Sequence, residues 1–369
     1  MPAASVHCAV TSPPYWGLRD YGTPPQIWDG DADCRHRWGA EIAKKGGGGQ
    51  PGAKVQRWQH AGAGLSGHPA ANGGAFCGRC GAWRGSLGLE PTYQLYVAHL
   101  VQVLHEVRRV LRGDGTLWLV IGDCYAAGAG KAKRAGGGAQ GAAWQGKGPA
   151  GYRGDHGGDP KSPAAALPGF QPNRMPQPGL KPKDLVGVPW RVAFALQDDG
   201  WWLRRDNVWS KPNPMPESVR DRCTSAHEYL FHFSKSARYY YDGEAIKEPF
   251  ATDPRRDNTG GYPPNGNGRN KRSVWTVASA PFPGAHFATY PPALIEPCIL
   301  AGCPEGGTVL DPFLGAGTTA LVADRLGRHC IGLELSPAYA EMARIRTAAP
   351  ALKRDDKNLR GAALHDAAA

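Results

Sequence analysis

No stretch of this 369-residue chain approaches the roughly 18 consecutive apolar residues that a membrane-crossing helix needs. The opening MPAASVHCAVTSPPYW has no basic n-region and no apolar h-region, so it does not read as a signal peptide. Nine cysteines are an odd number, and Cys8, Cys298 and Cys330 sit in apolar or strand-like contexts. That pattern argues for reduced thiols in a cytosol rather than a disulfide framework. No internal repeat of fixed period is found. Acidic residues are in short supply: 32 Asp and Glu face 43 Lys and Arg, a net charge of +11. A polyanionic partner, most simply nucleic acid, fits that balance; so does a merely basic soluble protein.

What is present bounds the architecture. The length allows one large domain or two modest ones, with ample room for a core. The 51 Gly and 33 Pro exceed what a compact domain uses and require long irregular segments. Val6–Val10 reads as a short apolar strand running into TSPPYW. Leu100, Val103, Leu104, Val107 and Leu111 fall at helical spacing, with Pro91 ahead and Gly113 closing. GTLWLVIGD (115–123) follows as a continuous apolar strand of the kind buried on both faces. Further on, the pattern predicts a helix near 184–198, strands at 201–209 and 227–233, and a helix around 291–301. Strand TVLDPF, a Gly loop, a helix through Leu321, Val322 and Leu326, strand HCIGLEL and a last helix capped by Ser336 complete the chain. Strands separated by helices predict an α/β fold with a mostly parallel sheet.

The stretch VLDPFLGAGTTALVADRLGRHCIGLEL carries the first chemical signature. A strand ends at Asp311, a turn holds Gly315 and Gly317, and a helix opens at Thr318 or Thr319. Glu334 ends the next strand, 23 residues after Asp311. In nucleotide-binding βαβ units such an acid accepts bonds from ribose hydroxyls, and the glycines admit the ligand to the backbone. The turn is not the GxGxxG of a pyrophosphate binder, and GK[ST] is absent. DPFLGAGTT instead resembles the S-adenosylmethionine loop of DNA amino-methyltransferases. The resemblance implies that Asp311, Phe313, Gly315, Gly317, Thr318 and Thr319 line the methionine and ribose end of that cofactor, with Glu334 on the ribose. HFATYPPALIEP (286–297) resembles the segment that closes over the methionine moiety, which implicates Phe287 and Thr289.

TSPPYW is the second signature. Two prolines stiffen the backbone and remove two N–H donors, leaving carbonyls and a side-chain oxygen at the strand's C-terminal edge as acceptors. An exocyclic amine needs such acceptors, because its lone pair is delocalised into the ring. Tyr15 offers a face on which a base turned out of the duplex stacks. Both motifs in one chain resemble the beta group of these methyltransferases, in which the catalytic loop precedes the cofactor loop. The fold implied is a Rossmann-like, mostly parallel sheet with permuted motif order. Ser12, Pro13, Pro14 and Tyr15 are the implied catalytic positions. Serine at the first position, SPPY, resembles the cytosine-N4 enzymes, whereas adenine-N6 enzymes more often show DPPY or NPPY; cytosine N4 is the expectation and adenine N6 the alternative. None of the cysteines is read in a Pro-Cys loop of the cytosine-C5 kind. A DNA-binding module with impaired catalysis competes with the enzyme reading, as does an RNA or protein-glutamine methyltransferase. Relatives usually carry a GD-x-L segment before the catalytic strand; only four residues precede Ser5 here, so the expectation is either a sequence that starts late or a partly open adenine pocket. The implied partner is double-stranded DNA, with a cognate restriction endonuclease as functional counterpart and not a stable partner. The implied setting is the cytoplasm of a bacterial or phage-infected cell.

Inserts complete the reading. Cys77-x2-Cys80 in FCGRCG forms a knuckle that Cys34-x-His36 completes as a Cys3His zinc set, with His60 or His68 as alternatives to His36. A redox pair or an incidental CxxC is the competing reading. The zinc-binding insertion is placed at 31–90, within a catalytic domain of 1–30, 91–124 and 181–350. Residues 125–180 hold seven Lys and Arg against two Asp in a Gly- and Pro-rich background, a basic loop expected to be mobile. Together with 251–272 this loop is a candidate DNA contact; 243–285 is the candidate target-recognition region and 351–369 a flexible tail. Trp16, Trp83 and Trp144 are candidates for stacking or for the core, and Asp123 for the site or for a structural cap.

Overall fold

A computed structural model describes residues 1–39, 75–126, 172–174, 177–249, 268–279 and 289–348. Phe287, Trp144, His60, His68, the tail and most of both basic segments lie outside these residues. In chain order the elements are β1 (Val6–Thr11), β2 (Gln26–Trp28), β3 (Ala75–Phe76), β4 (Trp83–Gly85), α1 (Tyr93–Val110) and β5 (Leu111–Ile121). Then follow α2 (Val188–Asp198), β6 (Trp202–Ser210), β7 (His227–Ser234), β8 (Val274–Thr276) and α3 (Pro292–Gly302). The last are β9 (Thr308–Asp311), α4 (Thr318–Arg325), β10 (His329–Gly332) and α5 (Pro337–Ala348).

Seven strands form one sheet in the order β10-β9-β1-β5-β7-β6-β8. β7 runs antiparallel to both neighbours, and every other pairing is parallel. Alternation along the strands builds two cores. Ala9, Leu117, Leu119, Ile121, Phe231 and Phe233 face α1 and α2. Cys8, Val10, Trp118, Val120 and Leu230 face α3 and α4. With both faces covered, the inner strands must be apolar throughout, and β5 is buried without a break from Gly115 to Ile121. On β7 the rings of Tyr229 and Phe231 stack at 5.4 Å, and Trp190 of α2 meets them edge-on.

The caps follow local chemistry. Thr92 opens α1 by accepting from Leu95 N–H at 3.2 Å. Gly187, at φ +75°, has no side chain with which to cap α2. Asp123 supplies the cap from the end of β5, its carboxylate accepting from Gly187 and Val188 N–H at 3.0 Å. The choice left open for Asp123 thus resolves to the cap. The α1 boundary also differs from the expectation: the helix stops at Val110, and Gly113 lies inside β5 instead of closing the helix. β2, β4 and β3 make a separate three-stranded sheet, so the small module reaches back to Gln26. Trp16 and Trp83 are 2% and 0% exposed and belong to the core.

Candidate active site

Parallel pairing of β1 with β9 brings the SPPY and DPF loops to the same C-terminal edge of the sheet, where open α/β sheets bind ligands. A buried hydrogen bond joins them: Thr11 Oγ1 donates to Asp311 Oδ1 at 2.6 Å. Both loops line one cavity of about 970 Å³. That is the upper end of single-ligand pockets, room for a cofactor and a base side by side.

Ser12, Pro13, Pro14 and Tyr15 all line the cavity. Tyr96 of α1 donates to the Pro14 carbonyl at 2.8 Å and holds the loop from below. The Tyr15 phenol donates to Glu228 Oε2 at 2.6 Å, and Lys211 pairs with the other carboxylate oxygen. Burial and the Glu228 charge push that phenol well above its usual range, so it stays protonated and donating. Lys211 also sits 4.2 Å from the centre of the Trp209 ring. Glu228 and Lys211 line the cavity beside Tyr15 and were missed in the sequence. The signal available was an acid opening the aromatic strand HEYLFHF, whose alternation drew attention to Tyr229, Phe231 and Phe233 instead.

The cofactor-loop residues separate into two groups. Phe313, Gly315, Thr318, Glu334 and Thr289 line the cavity. Glu334 accepts from Gly315 N–H at 2.9 Å and from Ser336 N–H at 2.7 Å, and its oxygens keep lone pairs for hydroxyl groups. Asp311 and Thr319 are 0% exposed and stand behind the cavity wall. Asp311 accepts from Thr11, Thr319 Oγ1 (2.5 Å), Tyr290 OH (3.0 Å) and Phe313 N–H (3.0 Å). Burial raises its carboxyl, and these donors oppose the rise. Its place is beneath the loop, where it ties β1, α4 and the DPF turn together, and not on the cavity surface. Gly317, at φ +80°, lets α5 approach; a Cβ there would lie 2.9 Å from that of Ala343. Cys34, His36, Cys77 and Cys80 also converge, at a separate place outside the cavity lining.

The chain matches the DNA methylase family model for N6 and N4 enzymes over residues 6–344. The chain belongs to that DNA methylase family. Among curated relatives, the type II methyltransferase M.SmaI of Serratia marcescens is 41% identical over 340 residues, spanning 92% of this chain and 83% of the relative. The type II methyltransferase M.Cfr9I of Citrobacter freundii is 40% identical over 343 residues, spanning 93% and 81%. Among solved structures, the cytosine-N4-specific PvuII DNA methyltransferase superposes with a TM-score of 0.49 at 15% identity, covering 97% of this chain and 85% of that one. Likeness at that level says nothing of the target base. This DNA methylase is therefore an S-adenosylmethionine-dependent amino-methyltransferase. Its cavity lining fits that cofactor chemically: a carboxylate able to accept from hydroxyl groups, the aromatic Phe313 and Tyr339, and a turn at Gly315 with no side chain to obstruct entry.

Proposed function

We propose that this DNA methylase methylates the N4 amine of a cytosine flipped out of duplex DNA at a specific site, as the modification enzyme of a type II restriction–modification pair. The cofactor supplies an electrophilic methyl group. Phe313, Gly315, Thr318, Thr289 and Glu334 hold it along the β9 side of the cavity, and Asp311 keeps their loop in place.

The target amine is a poor nucleophile while its lone pair is shared with the ring. Hydrogen-bond acceptors directed at its protons draw the pair back onto nitrogen. Ser12 Oγ and the Pro13 carbonyl supply them at the C-terminal edge of β1. The observation that carries this reading is the SPPY loop on the cavity wall with the Tyr15 phenol anchored to Glu228, which Lys211 pairs in turn. Tyr15 donates to Glu228, and the Ser12 hydroxyl on the cavity wall brings acceptor lone pairs to the amine. The same contacts pin the Tyr15 ring, on which the flipped base stacks. Serine at this position also favours cytosine N4 over adenine N6, through the resemblance to the SPPY enzymes.

The restriction endonuclease of such a pair is a functional counterpart in the same cytoplasm and not a subunit. Incubating plasmid DNA with the purified protein and S-adenosylmethionine, then digesting it to nucleosides for mass spectrometry, tests the assignment. N4-methylcytosine is expected. N6-methyladenine overturns the base, and the absence of both overturns DNA as substrate.

A further inference from the structure

Away from the cavity, four donors converge that no step of methyl transfer uses. Cys34 and His36 lie in the loop after β2, and Cys77 and Cys80 form a knuckle after β3. Their donor atoms all lie within 4.8 Å of one another. Cys34 Sγ is 4.0 Å from Cys77 Sγ, and Cys80 Sγ is 3.4 Å from His36 Nδ1. Thiolates at about 2.3 Å from a tetrahedral zinc ion stand about 3.8 Å apart, whereas disulfide sulfurs are bonded at about 2.0 Å. The spacing is that of ligands around one ion.

The surroundings agree. The N–H groups of Arg37 and Arg79 donate to Cys77 Sγ at 3.3 and 3.4 Å, the kind of outer contact that orients a metal-bound thiolate. Gly30 has φ +78°, and a Cβ there would stand 2.9 Å from Cys80 Sγ, so the chain passes the thiol only as glycine. The His36 ring packs on Trp38 at 4.7 Å. Strands of three, two and three residues lie at the short end of strand lengths, so the sheet has little backbone pairing of its own.

We propose that Cys34, His36, Cys77 and Cys80 hold one structural Zn²⁺ ion, and that this ion staples the three-stranded module beneath the catalytic loop. Four protein ligands leave no position open for substrate, which makes the site structural. Contacts run from the module to the loop without a gap. Trp28 of β2 and Trp83 of β4 both stack on the His99 ring of α1, at 4.6 and 5.3 Å. His99 bridges Asp29 Oδ2 at 3.0 Å and the buried Glu90 Oε1 at 3.1 Å. Glu90 Oε2 accepts from Gly88 N–H at 2.8 Å, and the Glu90 carbonyl accepts from the Trp16 indole at 2.9 Å. The Gly88 carbonyl accepts from Gly17 N–H at 2.8 Å, and a Cβ on Gly88 would lie 3.1 Å from that of Pro14. Ser86, Leu87 and Leu89 then continue as cavity wall. The module's chain is thus the support on which Pro14–Gly17 rests.

Metal analysis of the full-length protein, isolated under reducing conditions, is expected to give one zinc per chain. Co²⁺ exchanged into it is expected to show thiolate charge-transfer bands and tetrahedral d–d absorption. Cys34→Ser, Cys77→Ser and Cys80→Ser each lose the metal, while Cys223→Ser, at an exposed cysteine outside the cluster, retains it. Removing the ion with a chelator is expected to slow methyl transfer by about 10- to 100-fold, as small misplacements of positioned groups do, with cofactor affinity by calorimetry nearly unchanged. Protein that takes up neither Zn²⁺ nor Co²⁺, metal that survives the three cysteine substitutions, or a Cys77–Cys80 disulfide in the metal's place overturns the site. Equal loss of transfer and cofactor affinity overturns the stapling role. Metal content is read independently of methyl transfer, so the site stands or falls apart from the choice of base.

Discussion

At the scale of single residues, the proposed activity rests on the acceptors of the SPPY loop and on the ring of Tyr15 beside them. In the proposed function Tyr15 has two roles, its hydroxyl anchored to Glu228 and its ring offered to the base. Stacking on an aromatic side chain is worth about 1–3 kcal/mol per base. Tyr15→Ala is therefore expected to cut turnover by about 5- to 150-fold, while S-adenosylmethionine affinity measured by calorimetry stays close to that of the parent. Parallel loss of both would contradict the division of labour between the two loops. Gly122 supplies the space for the ring, since a Cβ there would lie 2.7 Å from Tyr15 Cε2. Gly122→Ala is expected to displace the ring and slow transfer with little change in melting temperature, and full activity in that variant would show that the ring position does not matter. The motif residues were legible because SPPY and DPF, each at the end of a strand, resemble the loops of one family. Glu228 and Lys211 were not, because they reach the site only through the pairing of β7 with β5 and β6.

At the scale of elements, periodicity carried most of the reading. The apolar run 115–121 foretold a strand covered on both faces, and the β7 aromatics do share one side. The α1–β5 junction was misplaced because Leu111 continues the helical spacing, yet it begins a strand beside Val6. Asp311 and Thr319 show the limit of a motif: spacing places them at the loop, but only packing reveals that they face inward. β7 also holds a cost of burial. His232 stacks on Trp118 at 4.1 Å, and its buried Nε2 has no hydrogen-bond partner among the described residues. Burial, with the Arg204 charge adding to it, lowers its pKa to about 3. The unfolded chain binds a proton at this residue near pH 6.5 while the native state does not, so stability falls as pH drops from that value toward 3. The loss approaches about 1.4 kcal/mol per pH unit within the window. His232→Phe is expected to flatten the urea-melt stability profile between about pH 6.5 and pH 4; an unchanged slope would place the acid sensitivity elsewhere.

At the scale of the whole molecule, the order of the motifs matters less than their place on the sheet. The catalytic strand comes first in the chain and the cofactor strand some 300 residues later, yet the two are hydrogen-bonded neighbours. That adjacency depends on a long-range parallel pairing invisible to local pattern, and it was reachable from the sequence only because both motifs resembled one family. The net charge of +11 suits a duplex substrate and leaves its sequence undetermined. Methylation of cytosine N4 at a defined DNA site is the activity proposed for this cavity. The most direct measurement is single-molecule sequencing of the genome of a methylation-free bacterial host expressing the chain. Kinetic signatures are expected at a cytosine within one short recurring sequence, and none in the same host without the chain. Signatures at adenine, or modification with no recurring sequence, would contradict the proposed activity.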